Sequence, residues 1–381
     1  MKVLLVTNFG PDRQESMQRF GRMLAEGLPT LGIESIVVSP EPRLTRLTPR
    51  YRYAGWPKYL GYIDKFFLFP RFLRREIHRH RPDVVHIIDH ANSVYAQAAG
   101  ERPVVATCHD LMQIRAARGE IPQQPIGWSG RMFQRWILRH IAGVGNLVCV
   151  SRKTGDDLHR LIPRERSRTH LIHNGLNYPY AKIAAPIAYQ RLFTLSNSRE
   201  FEQTGGFYLN VGGGQWYKNR QGLLRIFAEL RRQNSLRPLL VMIGKPLSSA
   251  DAALADELGV ASSIRHFSNV TNEDLAAFYS VARGLIFPSW DEGFGWPIAE
   301  AQACGCPVFT SNREPMTEVG GPAAIYFDPA NPVDAATRIL AARDEEPALR
   351  ARGLLRAERW TARKMLDHYA TLYRQLAVER S

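Results

Sequence analysis

Short apolar runs rich in Val, Ile and Leu recur through the first part of the chain, each followed by a polar turn and a helical pattern. They are Val3–Val6, Ser35–Val38, Val84–Ile88, Val104–Thr107 and Leu147–Val150, with His170–Ile172 as a sixth. After a lapse between Gly175 and about Phe207 the alternation restarts, with Tyr208–Val211, Leu239–Ile243, Ile264–Phe267, Leu285–Phe287, Val308–Thr310 and Ala324–Phe327. Brief strands that are apolar throughout, alternating with helices, specify a parallel sheet covered on both faces. With 381 residues the chain exceeds what one hydrophobic core usually organises, so two α/β domains of about six strands each are expected, with ligands held in a cleft between the carboxyl ends of the two sheets. The expected boundaries are 1–185 for the first domain and 186–355 for the second. The charged stretch Pro347–Glu379 reads as one or two helical pieces, with residues 356–381 as a terminal helix packing back on the first domain.

Composition is that of an ordinary globular protein, at 45% hydrophobic and 23% charged residues, so disorder is not expected. The four cysteines, Cys108, Cys149, Cys304 and Cys306, include a Cys-Gly-Cys too tight for the usual zinc spacing, and all read as free thiols of a reducing cytoplasm. The opening MKVLLVTNFGPD is too short in its apolar run for a signal peptide, and no segment reaches the roughly eighteen apolar residues of a membrane span. The formal charge of +14 is concentrated: between Arg43 and Arg81 eleven Lys or Arg face only Asp64 and Glu76, a net of +9.

The stretch PSWDEGFGWPIAEA, Pro288 to Ala301, places two glutamates, Glu292 and Glu300, across a glycine-rich turn that follows the strand Leu285–Phe287. Pro297 suits the first turn of a helix, and Gly293 and Gly295 let the backbone approach a ligand. A helix N-terminus behind glycines is a site for a diphosphate. Glu300, one turn into the helix, can accept two hydrogen bonds from a vicinal diol such as a ribose, while Glu292 points to whatever the diphosphate carries. Taken singly, Glu300 is equally a helix N-terminal acid and Glu292 a solvated loop acid.

The whole block PSWDEGFGWPIAEAQACGCPVFTSNREPMTEVGG resembles the donor-nucleotide segment of the family-4 retaining glycosyltransferases, whose GT-B fold consists of two Rossmann-like domains facing a central cleft. The resemblance implies that Glu292 lies near the donor sugar and Glu300 on the ribose, with Gly293, Phe294 and Gly295 lining the donor site. KNRQGLLRIFAEL, after the strand YLNV, is similar to the family's element opening the first helix of the nucleotide domain, which makes Lys218 the phosphate-binding cation. The family often has an arginine in the preceding loop; this chain has GGGQWY, so either Arg220 or the amides of Gly212–Gly214, Gly213 among them, would substitute. VSRKTGDDL and LIHNGLN resemble markers near the end of the family's N-terminal domain. VVATCHDL puts His109 at a strand end, where the resemblance implies contact with a sugar hydroxyl and where a structural role is as natural. Gly10, in the weakly glycine-rich first turn NFGPDRQES, would line the donor pocket.

No Gly-x-Gly-x-x-Gly follows the first strand, and there is no Walker A or His-Glu-x-x-His sequence, which argues against a dinucleotide dehydrogenase, an ATPase and a zinc protease. There is no Asp-x-Asp to hold a metal on a diphosphate, so no metal and no cofactor are expected, the nucleotide sugar being the substrate. Arg50–Pro82 mixes aromatic and basic residues in a way that suits the headgroup level of an anionic membrane. Nucleic acid would accept the same mixture, but no recognised nucleic-acid module accompanies it. A third reading packs these aromatics into the first domain. The expectation is a cytoplasmic enzyme, peripheral on the inner face of the plasma membrane, moving a sugar to a glycan or lipid-linked acceptor in cell-surface polysaccharide or lipopolysaccharide assembly. A nucleotide-sugar epimerase of the same fold and an inactive membrane-associated scaffold are the rivals.

Overall fold

The computed structural model describes residues 1–48, 55–163, 168–202, 206–234 and 236–379. The chain divides into two units, Met1–Asn177 with Ala362–Ser381, and Tyr178–Thr361.

The first unit is built on strands β1 (Lys2–Val6), β2 (Glu34–Val38), β3 (Val84–Ile87), β4 (Val104–Cys108), β5 (Asn146–Cys149) and β6 (Thr169–Leu171), in the order β2-β1-β3-β4-β5-β6. Every pairing is parallel. β3 and β4 are buried along their whole length, which is why they read as unbroken apolar runs rather than alternating ones. The terminal helix Ala362–Val378 closes this unit. Leu366 occupies the space a side chain on Gly27 would need, and Tyr369 and Tyr373 reach into the sheet. Tyr369 Oη lies 2.9 Å from Thr107 Oγ1, Thr107 Oγ1 lies 2.8 Å from His86 Nε2, and Tyr373 Oη lies 2.7 Å from His86 Nδ1. A histidine inside an apolar sheet is tolerable because both ring nitrogens are partnered.

The second unit repeats the plan with β7 (Phe207–Gly212), β8 (Leu239–Gly244), β9 (Ile264–Phe267), β10 (Gly284–Phe287), β11 (Val308–Ser311) and β12 (Ala324–Phe327), ordered β12-β11-β10-β7-β8-β9. These strands too are parallel throughout. The strand order reverses between β7 and β10, and the carboxyl ends at such a reversal are where open α/β sheets bind ligands. The expected pair of α/β sheets is therefore present.

The division falls at 177/178, not at 185/186. The strap after Asn177 is tied to the second unit, where Tyr180 Oη donates to Asn272 Oδ1 at 3.2 Å and the Ile183 amide donates to Ser280 Oγ at 3.0 Å. Likewise the terminal helix starts at Ala362 and not at 356. The preceding helix Glu346–Ala357 belongs to the second unit, because Arg350 donates to the carbonyls of Gly305 and Ala282.

Of Arg50–Pro82, residues 50–54 lie outside the described residues. The rest is one helical rod: Pro57–Ile63, a π-helical turn at Asp64–Leu68, and Phe69–His80. The aromatics split between the two readings. Phe69 is buried against Tyr95 and Phe66 meets Trp136 edge-on, whereas Trp56, Tyr59, Ile63 and Phe67 are exposed. The π turn sets both Asp64 and Lys65 inward: Asp64 accepts from the amides of Arg43, Leu44 and Thr45 and from Thr45 Oγ1. Among the described residues, no helix is long and apolar enough to cross a membrane.

Candidate active site

The turn after β7 and the turn after β10 are stitched together. Asn219, in a left-handed conformation (φ 52°), caps the helix Arg220–Gln233 by accepting from the Gly222 amide, while its Nδ2 donates to the Pro288 carbonyl at 3.0 Å. The Trp290 amide donates to the Tyr217 carbonyl at 2.7 Å. These two bonds bring Lys218 to Glu292: Nζ to Oε1 is 2.7 Å, with side-chain exposures of 16% and 9%. The ammonium also lies 5.0 Å from the Phe287 ring centroid and 5.4 Å from that of Tyr217, so the rings contribute to holding the cation where little water reaches it. Burial pushes the Glu292 carboxyl above its ordinary range, against the opposing pull of Lys218.

Gly295 has φ 97°, which a side chain would strain, and it lets the chain turn into the helix Trp296–Ala303 with Pro297 in the first turn. Glu300 is buried within that helix, and Tyr279 Oη donates to its Oε2 at 3.0 Å. The other glycine that matters is Gly244 at the end of β8, where an added Cβ would collide with the Gly212 carbonyl at the end of β7. Gly213 follows directly, at the open end of β7.

Two of the expected donor-site residues direct their side chains to other parts of the protein. Arg220 is not turned toward a phosphate: it is buried at the helix start, and its Nη atoms donate to the carbonyls of Pro246, Gly212 and Lys245, pinning the ends of β7 and β8. A desolvated guanidinium needs such acceptors, and these carbonyls are the nearest. The Phe294 ring is buried edge-on against Trp360 at 5.5 Å. Gly293 keeps its place in the turn between Glu292 and the helix.

His109 and Gly10 belong to the first unit. His109 is buried at the end of β4, its Nε2 donates to the Ile88 carbonyl at 2.9 Å, and the Phe20 ring meets it edge-on at 4.8 Å. Burial lowers its pKa, so the imidazole is neutral near pH 7. Gly10 opens a short 3-10 turn, and a Cβ there would meet nothing within 4 Å. In the same turn Asp12 receives Lys65 Nζ at 2.7 Å.

Two residues escaped the sequence reading. Asn219 carried a usable signal, a polar residue at the start of a helix after a glycine turn. Tyr279 carried none, since it precedes Glu300 by twenty-one positions on a different helix. Among the described residues no group of three or more His, Cys, Asp or Glu is placed to hold a metal ion, and all four cysteines are free and buried.

The family model described as Glycosyltransferase Family 4 matches residues 17–178, and that described as Glycosyl transferases group 1 matches residues 194–353. The chain is 34% identical to O-antigen chain mannosyltransferase B of Escherichia coli over 162 residues, 41% of this chain and 42% of that protein. It is 29% identical to D-inositol 3-phosphate glycosyltransferase of Streptomyces avermitilis over 294 residues, 72% of this chain and 61% of that protein. The chain thus spans between about two fifths and three fifths of the length of these relatives. In fold it superposes on the crystal structure of Anabaena HepE in complex with UDP-glucose with a TM-score of 0.70 at 16% identity, covering 98% of this chain and 100% of that one. With one matching model on each of its two parallel sheets, the chain belongs to the family-4-like glycosyltransferases of the GT-B fold.

Proposed function

We propose that this chain transfers a sugar from a nucleotide diphosphate sugar to a glycan or lipid-linked acceptor, with retention at the anomeric carbon and without a divalent metal. The observation that carries the reading is the partly buried Lys218–Glu292 pair at the strand-order reversal of the second unit, with buried Glu300 on the adjoining helix. As the bond from the anomeric carbon to the diphosphate breaks, its electrons pass to a phosphate oxygen, and the Lys218 ammonium stabilises that charge. Glu300 accepts from the ribose hydroxyls and Glu292 orients the sugar. The neutral imidazole of His109, its Nε2 proton given to the Ile88 carbonyl, has Nδ1 left to accept from a sugar hydroxyl. The UDP-glucose bound by Anabaena HepE supports the donor class, and the E. coli O-antigen enzyme supports a cell-surface glycan as acceptor.

The exposed row Trp56, Tyr59, Ile63 and Phe67, on a rod that also carries exposed Arg71, Arg74 and Arg75, supports attachment to an anionic bilayer surface, with a place on the inner face of the plasma membrane. Calorimetry with UDP and GDP in the presence of a chelator tests the donor reading, with binding of at least one expected to persist. Abolition of all binding by the chelator would overturn metal independence. Absence of binding under every condition would overturn the donor class.

A further inference from the structure

The helix Asn272–Val281 is fixed in rotation as well as position. Thr271 Oγ1 caps it by accepting from the Asp274 amide, and residues Leu275 to Ser280 are all buried. The strap from the unit's start grips it at both ends, through Tyr180 Oη on Asn272 and the Ile183 amide on Ser280. This leaves the fully buried Tyr279 one orientation, its ring edge-on to Tyr180 at 6.2 Å and its hydroxyl on Glu300 Oε2 at 3.0 Å. Glu300 is itself buried, and a buried carboxylate needs donors.

We infer that Tyr279 is a positioning residue for donor binding: its hydroxyl occupies one lone pair of Glu300 and so fixes the carboxylate plane that meets the ribose diol. The inference rests on the reading of Glu300 proposed above. A carboxylate can rotate about its last bond, and a diol is gripped only when both acceptor directions are held toward it. Packing alone would be served by phenylalanine, whereas the hydroxyl is spent on this carboxylate. The same burial, with the adjacent Glu300 charge, raises the phenol's pKa well above its ordinary value, so it stays a donor at any pH the protein meets.

The test compares UDP and GDP with their 2′,3′-dideoxy counterparts by calorimetry, on the parent, Tyr279→Phe, Glu300→Ala and the double variant. The parent should prefer the ribonucleotide. Tyr279→Phe should weaken ribonucleotide binding about tenfold, the scale of one hydrogen bond to a charged group, and leave dideoxynucleotide binding unchanged. In the Glu300→Ala background the same substitution should do nothing, because its path to the ligand is gone. If the parent discriminates while Tyr279→Phe keeps that discrimination, or loses both nucleotides equally, this inference alone is overturned. A parent that binds both forms equally, or neither, overturns the ribose role of Glu300 and this inference with it.

Discussion

In each unit the turn after the first strand contributes to a partly buried ion pair, and the two pairs have opposite polarity. In the second unit the turn after β7 supplies the cation, Lys218, and its partner Glu292 follows β10. In the first unit the turn after β1 supplies the carboxylate, Asp12, and its partner Lys65 comes from the π turn of the helical rod. Both pairs are 2.7 Å long, and both ammonium groups sit near aromatic faces, Lys65 within 6 Å of Phe9, Tyr62 and Phe66. Two sheets of one build therefore offer opposite charge in the equivalent turn. A cation on the turn suits a diphosphate; a carboxylate there repels one and suits hydroxyl groups.

Acid should separate the units most strongly. Burial, with a smaller contribution from His109, pushes the His86 pKa down to about 3, against an ordinary 6.5. Between those values the unfolded chain binds the proton that the folded one refuses, so stability is lost as pH falls, by up to about 1.4 kcal/mol per pH unit from this group. Glu292 has the opposite sign: its raised folded pKa makes its contribution most favourable below the ordinary carboxylate value and removes it as pH rises through the folded one. Stability measured by denaturant from pH 7 to pH 4 should decline, and hydrogen exchange should rise first at β3 and β4. Earlier exchange around β7 and β10 would reverse the comparison.

Removing the cations sharpens it further. Lys65→Ala removes the cation that Asp12 faces and should destabilise the first unit, while Lys65→Met with Asp12→Leu should recover most of the loss. Lys218→Ala should instead lower turnover by about a hundred- to a thousandfold, the scale for removing one preorganised charge-stabilising group. Equal loss of turnover in Lys65→Ala, at unchanged stability, would erase the distinction between the two pairs. The smallest effect is expected from Glu300→Ala, a weakening of donor binding by about 1.5 to 3 kcal/mol with kcat little changed. A fall in kcat without a change in KM would move Glu300 from the ribose to the reacting centre.

Much of this was legible in the sequence because it is local. Apolar runs such as Val84–Ile88 and Leu285–Phe287 can be buried on both faces only in a covered parallel sheet, so both sheets could be read from pattern. Glu292, Gly295 and Glu300 lie within nine residues, and the turn and helix that join them follow from Gly and Pro at their positions. The boundary was less legible, since Tyr178–Ala184 has no pattern of its own and takes its allegiance from bonds to Asn272 and Ser280.

What the sequence alone determined was therefore the two-sheet plan, the glycine turn and the identity of its charged residues. Only the tertiary structure decided where those charges are spent. Arg220 and Lys218 stand two residues apart on one turn, yet one faces strand-end carbonyls and the other a carboxylate seventy-four residues away. Tyr279 meets Glu300 because two helices pack, and Lys65 meets Asp12 because a π turn sets it inward. The physical reason is that a buried polar group takes the nearest partner three-dimensional packing provides, and that distance is not written in the spacing along the chain.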